Sequence, residues 1–256
     1  MRRLPFAIVL AAASWVAIGQ PRAARAAAAP VVGRLTWFGQ SCFLLETAAG
    51  TRVLIDPIPK TLGYPLPAGL RADLVTVSHE HADHDNLAMV TGKPYVIHGL
   101  TADKKGWVHV DERFRDVSVR SVGVYHDDRR GAQRGLDTVF IFEVGGLRIA
   151  HLGDLGHTLD DDELEAIGSV DVLLVPVGGA TTIDAYQATR VIDQLHPRLM
   201  VVPMHYRTDA STSKELAPLD AFLERKANVR HVAGPTVVLT SVKARPATEI
   251  VVLDWH

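Results

Sequence analysis

His79-Glu80-His81-Ala82-Asp83-His84 is the stretch on which the reading of this chain turns. Three histidines and an aspartate within six residues are hard to explain by packing, because buried polar groups cost free energy unless they are partnered. Neutral imidazole nitrogen and hard carboxylate oxygen together suit zinc and related divalent cations. The segment follows the apolar run 74–78, which reads as a strand. Alternate residues of extended backbone share a side, so His79 and His81 project together. A turn at Ala82 then aims Asp83 and His84 at a second point nearby. Four donors so close together serve two adjacent ions more easily than one.

Working outward, three more donor-type residues stand where apolar, strand-like runs end. His126 follows 117–125, Asp154 follows 147–153, and His205 follows 199–204. Sites in layered α/β proteins gather at strand C-termini, where loops are free and the scaffold is fixed. Taken singly, each of these residues is more often a surface or hydrogen-bonded residue than a ligand. Beside the 79–84 cluster, that bland reading weakens.

The rest of the chain supplies the scaffold. Short β-like runs occupy 34–38, 42–46 and 52–55, and the Pro-rich 57–67 reads as a loop. A short helix is expected at 85–90. Further strands are expected at 95–98, 117–125, 138–144 and 147–152, with Gly145-Gly146 as a hairpin turn. Helices at 160–167, 184–195 and 214–226 then alternate with strands at 172–175, 199–202, 236–239 and 250–253. Many strands with interspersed helices point to a sheet-rich α/β core covered by helices.

The order HxHxDH at 79–84, then His126, then Asp154 in His151-Leu152-Gly153-Asp154, then His205 in Pro203-Met204-His205-Tyr206 resembles the metallo-β-lactamase superfamily. Leu54-Ile55-Asp56-Pro57 and Val177-Gly178-Gly179 are similar to two further segments of that family. The resemblance runs from about Gly33 to the end. It implies an α/β fold, a four-layer αββα sandwich, with the site at one edge between two sheets. It also implies that His79, His81 and His126 hold one metal and that Asp83, His84 and His205 hold a second, with Asp154 bridging. Asp56 would orient a ligand histidine, and Asp83 would move a proton in catalysis as well as bind metal. The implied cofactor is two divalent ions, Zn2+ first, with Mn2+ or Fe2+ as alternatives. His81 stands where the oxygen-reducing branch of the family carries glutamate, which favours hydrolysis over redox chemistry. An aspartate bridge sets the pattern nearer lactonases and phosphodiesterases than true β-lactamases. The sequence departs from the family's common pattern at Gln40 and Leu155.

Composition bounds the function class. Arg2 and Arg3, the apolar run 6–18 and the small residues 23–29 read as an export signal spanning 1–26, followed by a single domain over 27–256. The apolar run is too short for a membrane span, which needs about 20 residues. No stable membrane insertion is expected after cleavage, and the mature chain is expected to be periplasmic or secreted. Cleavage would remove Arg2, Arg3, Arg22 and Arg25 and no acid, taking the formal charge from −2 to −6. An acidic surface is a poor partner for nucleic acid, so a small-molecule substrate is expected. No feature fixes the oligomeric state. The sole cysteine, Cys42, lies in an apolar run and reads as a buried, inert thiol.

The expected activity is an exported dinuclear hydrolase acting on an ester, lactone, amide or phosphodiester bond. A small-molecule or lipid phosphodiesterase, and a noncatalytic metal-binding module of the same fold, are the alternatives. Several residues stay open at this level. His157 fits a surface loop better than a substrate contact, and His151 reads as structural. Tyr206 and Thr181 are candidates for substrate oxygens. Arg129 or Arg130 is a candidate for an anion, although a solvated turn accounts for them equally well.

Overall fold

Period-2 alternation along the strands sorts the apolar residues into two cores. In the computed structural model, which describes residues 29–241 and 247–256, Phe43, Leu45, Val53, Ile55 and Leu74 enter one core. Their neighbours Leu44, Leu54, Val75 and Val77 enter the other. Burial on both faces explains why these runs read as continuously apolar rather than alternating. The export signal expected at 1–26 lies outside the described residues.

The strands are β1 (Val31–Trp37), β2 (Phe43–Thr47), β3 (Arg52–Ile55), β4 (Leu70–Arg71), β5 (Leu74–Val77), β6 (Val90–Thr91), β7 (Tyr95–His98) and β8 (Asp111–Phe114). They continue with β9 (Val117–Tyr125), β10 (Leu136–Val144), β11 (Leu147–His151), β12 (Val172–Pro176), β13 (Met200–Met204), β14 (Val229–His231), β15 (Thr236–Thr240) and β16 (Glu249–Val252). A six-stranded sheet has the order β15-β1-β2-β3-β5-β7, and an eight-stranded sheet the order β14-β16-β13-β12-β11-β10-β9-β8. Within the second sheet the meander β8–β11 is antiparallel. From β11 onward, through β12, β13, β16 and β14, the pairing is parallel. The larger core fills the space between the sheets, with Trp37, Phe43, Phe140 and Phe142 fully enclosed. Each such side chain contributes about 1.5–3 kcal/mol or somewhat more.

Two helices are set by their N-caps. Asp160 caps α1 (Asp161–Ile167) and Asp184 caps α2 (Ala185–Leu195), each in a reciprocal capping box with Glu163 or Gln187. Both aspartates therefore stand just outside the helices they were expected to begin. The helix expected at 214–226 shrinks to α3 (Asp220–Leu223). Pro218 disfavours helical backbone at Ala217, and Ala217 instead donates its N–H to Gly178 O at 2.8 Å. The helix expected at 85–90 is a single 3-10 turn, Leu87–Met89. Its approach is tied down by Asn86, whose N–H donates to Pro57 O and whose side chain donates to Ile58 O, both at 2.9 Å.

Candidate metal centre

The donors arrive from both sheets. His79 to His84 follow β5 of the six-stranded sheet, while His126, Asp154 and His205 follow β9, β11 and β13 of the eight-stranded one. The two sets meet across the open end of the sandwich. His79, His81 and His126 form one group and Asp83, His84, Asp154 and His205 another, with the donor atoms in each within 4.8 Å of one another. Asp154 touches both. Its Oδ2 lies 3.2 Å from His84 Nε2 and 3.3 Å from both His126 Nε2 and His205 Nε2.

Backbone conformation matters at one donor and two residues beside the centre. Gln40, Asp56 and His205 are all buried and all left-handed, with φ of 50°, 46° and 51°. Non-glycine residues held there cost on the order of 1–3 kcal/mol each. His205 N–H donates to Gln40 O at 3.1 Å, which stitches the two sheets together beside the site. Gly178, in the loop after β12, must lack a side chain, because a Cβ would come within 2.2 Å of His205 O. Gly153, with φ of 52°, is equally constrained, since a Cβ there would sit 2.5 Å from the Asp137 carboxylate.

Surrounding groups orient the imidazoles. His84 Nδ1–H donates to Asp56 Oδ2 at 2.9 Å, leaving Nε2 turned inward and without a hydrogen bond. His79 Nδ1 lies 3.1 Å from Asp137 Oδ1 and 3.0 Å from Ser78 Oγ, and its Nε2 faces His81 Nδ1 at 3.0 Å. Gln40 Nε2 donates to Asp83 Oδ2 at 3.3 Å and Ser41 Oγ to Asp154 Oδ1 at 3.4 Å. His81 is the exposed member of the first group and Asp83 the partly exposed member of the second, so the centre opens to solvent on their side.

The charges are strongly coupled. Burial pushes the His79 imidazole well below its ordinary range, and the neighbouring His84 adds to this, so His79 is neutral with a free lone pair. Burial and His126 lower His81 in the same sense. At His84 burial acts downward, but the Asp154 carboxylate outweighs it and holds the ring well above its ordinary value. Burial opposes ionisation of Asp154 as well, yet His205 and His84 hold that carboxyl well below the usual range. Asp137, enclosed and accepting no hydrogen bond, is pushed up to about 7 by burial.

A family profile for the β-lactamase superfamily domain matches residues 34–205. A UPF0173 metal-dependent hydrolase of Anaeromyxobacter sp. is 33% identical, over 82% of this chain and 86% of its own length. The chain belongs to the metallo-β-lactamase superfamily. A Thermotoga maritima member of that superfamily, a candidate Zn-dependent hydrolase, superposes with a TM-score of 0.69 and 34% identity, covering 86% of this chain and 98% of that one. Igni18, a metallo hydrolase of Ignicoccus hospitalis, follows at 0.59 and 26%, covering 81% and 97%. In this metallo-β-lactamase fold, among the described residues, the outer face of the six-stranded sheet carries 3-10 turns (Lys60–Leu62 and Leu87–Met89) and the second core rather than long helices.

The open residues now find places. His157 faces no substrate, because its Nε2 accepts from Tyr125 N–H at 3.1 Å and its Nδ1–H donates to Thr158 O at 3.0 Å. His151 is likewise held, by Ser41 O and Gly153 N–H. The Tyr206 ring is buried 5.3 Å from that of Trp37. Arg129 and Arg130 lie exposed on a turn whose N–H groups at 129, 131, 133 and 134 all donate to the Asp127 carboxylate. Cys42 is buried and its thiol is pushed up by burial, leaving it unreactive. Sequence reasoning missed Ser78 and Asp137. Ser78 directly precedes His79, and Asp137 opens a long apolar strand; those positions were the only available signals.

Proposed function

We propose that this chain is a metal-dependent hydrolase that holds two divalent ions, Zn2+ by preference, and cleaves an ester, lactone, amide or phosphodiester bond of a small substrate. The observation that carries the reading is Asp154 Oδ2, placed 3.2–3.3 Å from imidazole nitrogens of both donor groups. The donor set fits such ions: five imidazoles and two carboxylates, no thiolate, and a buried His84 Nε2 left unbonded. His79, His81 and His126 would hold one ion, Asp83, His84 and His205 the other, with Asp154 between them. Bound there, a pair of divalent ions supplies Lewis acidity to the substrate oxygen and acidifies water near neutral pH.

The chain's own residues do the rest. Asp83 combines a place in the second group with access to solvent, so it takes the proton of the attacking water and passes it outward. Gln40, donating to Asp83 Oδ2, keeps that carboxylate aimed. Asp56 fixes the ring of His84 from behind by accepting its Nδ1–H, and the Asp137 carboxyl lies 3.1 Å behind His79 Nδ1. The acidic mature charge favours a small substrate over nucleic acid. The N-terminal sequence supports action in the exported space. Among the described residues no helix is long and apolar enough to cross a membrane.

The test is the initial hydrolysis rate of the Zn2+-loaded chain on lactones, phosphodiesters, thioesters and β-lactams, with Asp154→Ala beside it. A selective rate that the variant loses supports the reading. Two bound ions with no rate on any bond class would favour a noncatalytic metal-binding role.

A further inference from the structure

Two of the buried imidazoles, one in each donor group, are backed by a single carboxylate, His84 directly and His79 through an intervening hydroxyl. Asp56 is fully enclosed, held left-handed, and anchored by its own N–H to Thr76 O at 3.0 Å. Its Oδ1 accepts Ser78 N–H at 2.8 Å. Its Oδ2 accepts both His84 Nδ1–H at 2.9 Å and Ser78 Oγ–H at 2.6 Å. A serine hydroxyl has one proton and two lone pairs. With that proton directed to Asp56, Ser78 Oγ can only accept from His79 Nδ1–H, 3.0 Å away. The path therefore runs His79, Ser78, Asp56, His84, with every member buried. Both rings are held at Nδ1 from behind, with Nε2 turned to the centre.

We propose that Ser78 is a positioning residue that extends the reach of Asp56 from the second donor group to the first. The proposal rests on the two-ion reading above. Its consequence is asymmetric. Without the hydroxyl, His79 loses an acceptor that fixes its tautomer, and the first group suffers. His84 keeps its direct bond to Asp56, which then has one fewer competing donor, so the second group is spared. General loosening of the core would weaken both groups alike.

The experiment measures Zn2+ stoichiometry and affinity by chelator competition on the full chain, with circular dichroism to confirm folding. Ser78→Ala is combined with His205→Ala, which leaves the first group intact, and separately with His81→Ala, which leaves the second. A loss of about tenfold or more is expected in the first background, with less than threefold in the second, and Ser78→Thr is expected to restore most of it. Equal losses in both backgrounds, no loss in either, or failure of a folded Ser78→Thr chain to recover affinity would each overturn the role of Ser78. Fewer than two Zn2+ ions on the unsubstituted chain would instead overturn the metal-centre reading and the relay with it.

Discussion

Asp137 Oδ1 lies 3.1 Å from His79 Nδ1, yet neither Asp137 oxygen accepts a hydrogen bond. The carboxyl is thus buried at a cost, and burial raises it to about 7 from an ordinary 3.8. The sign follows from linkage. Folding is unpenalised below the unfolded value, and the penalty grows as pH rises from there through the folded value. Asp137→Asn should therefore stabilise the metal-free chain above pH 7, on the order of 2–4 kcal/mol. The same change should weaken Zn2+ binding several-fold, because a carboxylate behind His79 is worth most when a cation is in front of it. Denaturant melts of metal-free protein and a Zn2+ titration check both signs. A variant less stable at pH 8 would contradict the burial argument.

Asp154 offers the sharpest loss. Its Oδ2 faces three imidazoles, so Asp154→Ala removes a shared ligand and leaves His84, His126 and His205 crowded around an empty space. Metal analysis should find fewer than two ions per chain, with turnover down by at least about 100-fold, on the scale of removing a group that stabilises developing charge. Full metal content at unchanged turnover would remove Asp154 from the centre.

Asp83→Asn separates binding from proton transfer. The amide retains an oxygen donor but cannot take a proton, so turnover should fall by about 10²–10⁴-fold. Metal content should fall far less than in Asp154→Ala. Rate and metal content measured on one preparation decide this, and a proportionate loss of both would make Asp83 a ligand only.

Most strands legible in the sequence send apolar side chains into a core, and β5, β9, β11 and β13 lead into a donor. β8 (Asp111–Phe114) reads as polar and is half-exposed, and β14 (Val229–His231) is too short to show a period. The helix expected at 214–226 failed for two reasons, one local, Pro218 inside the span, and one non-local, the hydrogen bond from Ala217 to Gly178. The site divides in the same way. His79, His81, Asp83 and His84 announce themselves by density along the chain. Ser78 and Asp137 act through what they touch, and Asp137 reaches His79 from the opposite sheet, which local pattern cannot reveal.

Gly178→Ala tests how that non-local packing supports the centre. The new Cβ would meet His205 O at 2.2 Å and Tyr206 Cα at 2.9 Å, both backbone atoms that cannot swing aside. Stability should drop by about 1–3 kcal/mol, and displacement of His205 should lower Zn2+ affinity as well. Gly146→Ala is the contrast. It has a φ of 82° but nothing within 4 Å, so it should cost only about 1–2 kcal/mol of backbone strain, with metal binding intact. Equal metal affinity in the two variants would show that the loop carrying Gly178 does not position His205.

Metal uptake should release protons. In the metal-free chain Asp154 and Asp56 hold His84 well above its ordinary 6.5 against the opposing effect of burial. At neutral pH the ring is therefore doubly protonated, with Nδ1–H on Asp56 and Nε2 facing Asp154. A cation bound at Nε2 must displace that proton. By linkage, the raised value stabilises the metal-free fold below the unfolded pKa, and this contribution is lost as pH rises through the folded value. Zn2+ affinity runs the opposite way, rising about tenfold per pH unit across that window for one displaced proton. Calorimetric titration at pH 7 in two buffers of different ionisation enthalpy counts the protons directly. One or more per chain is expected, and a buffer-independent heat would mean that His84 is already neutral when the ion arrives.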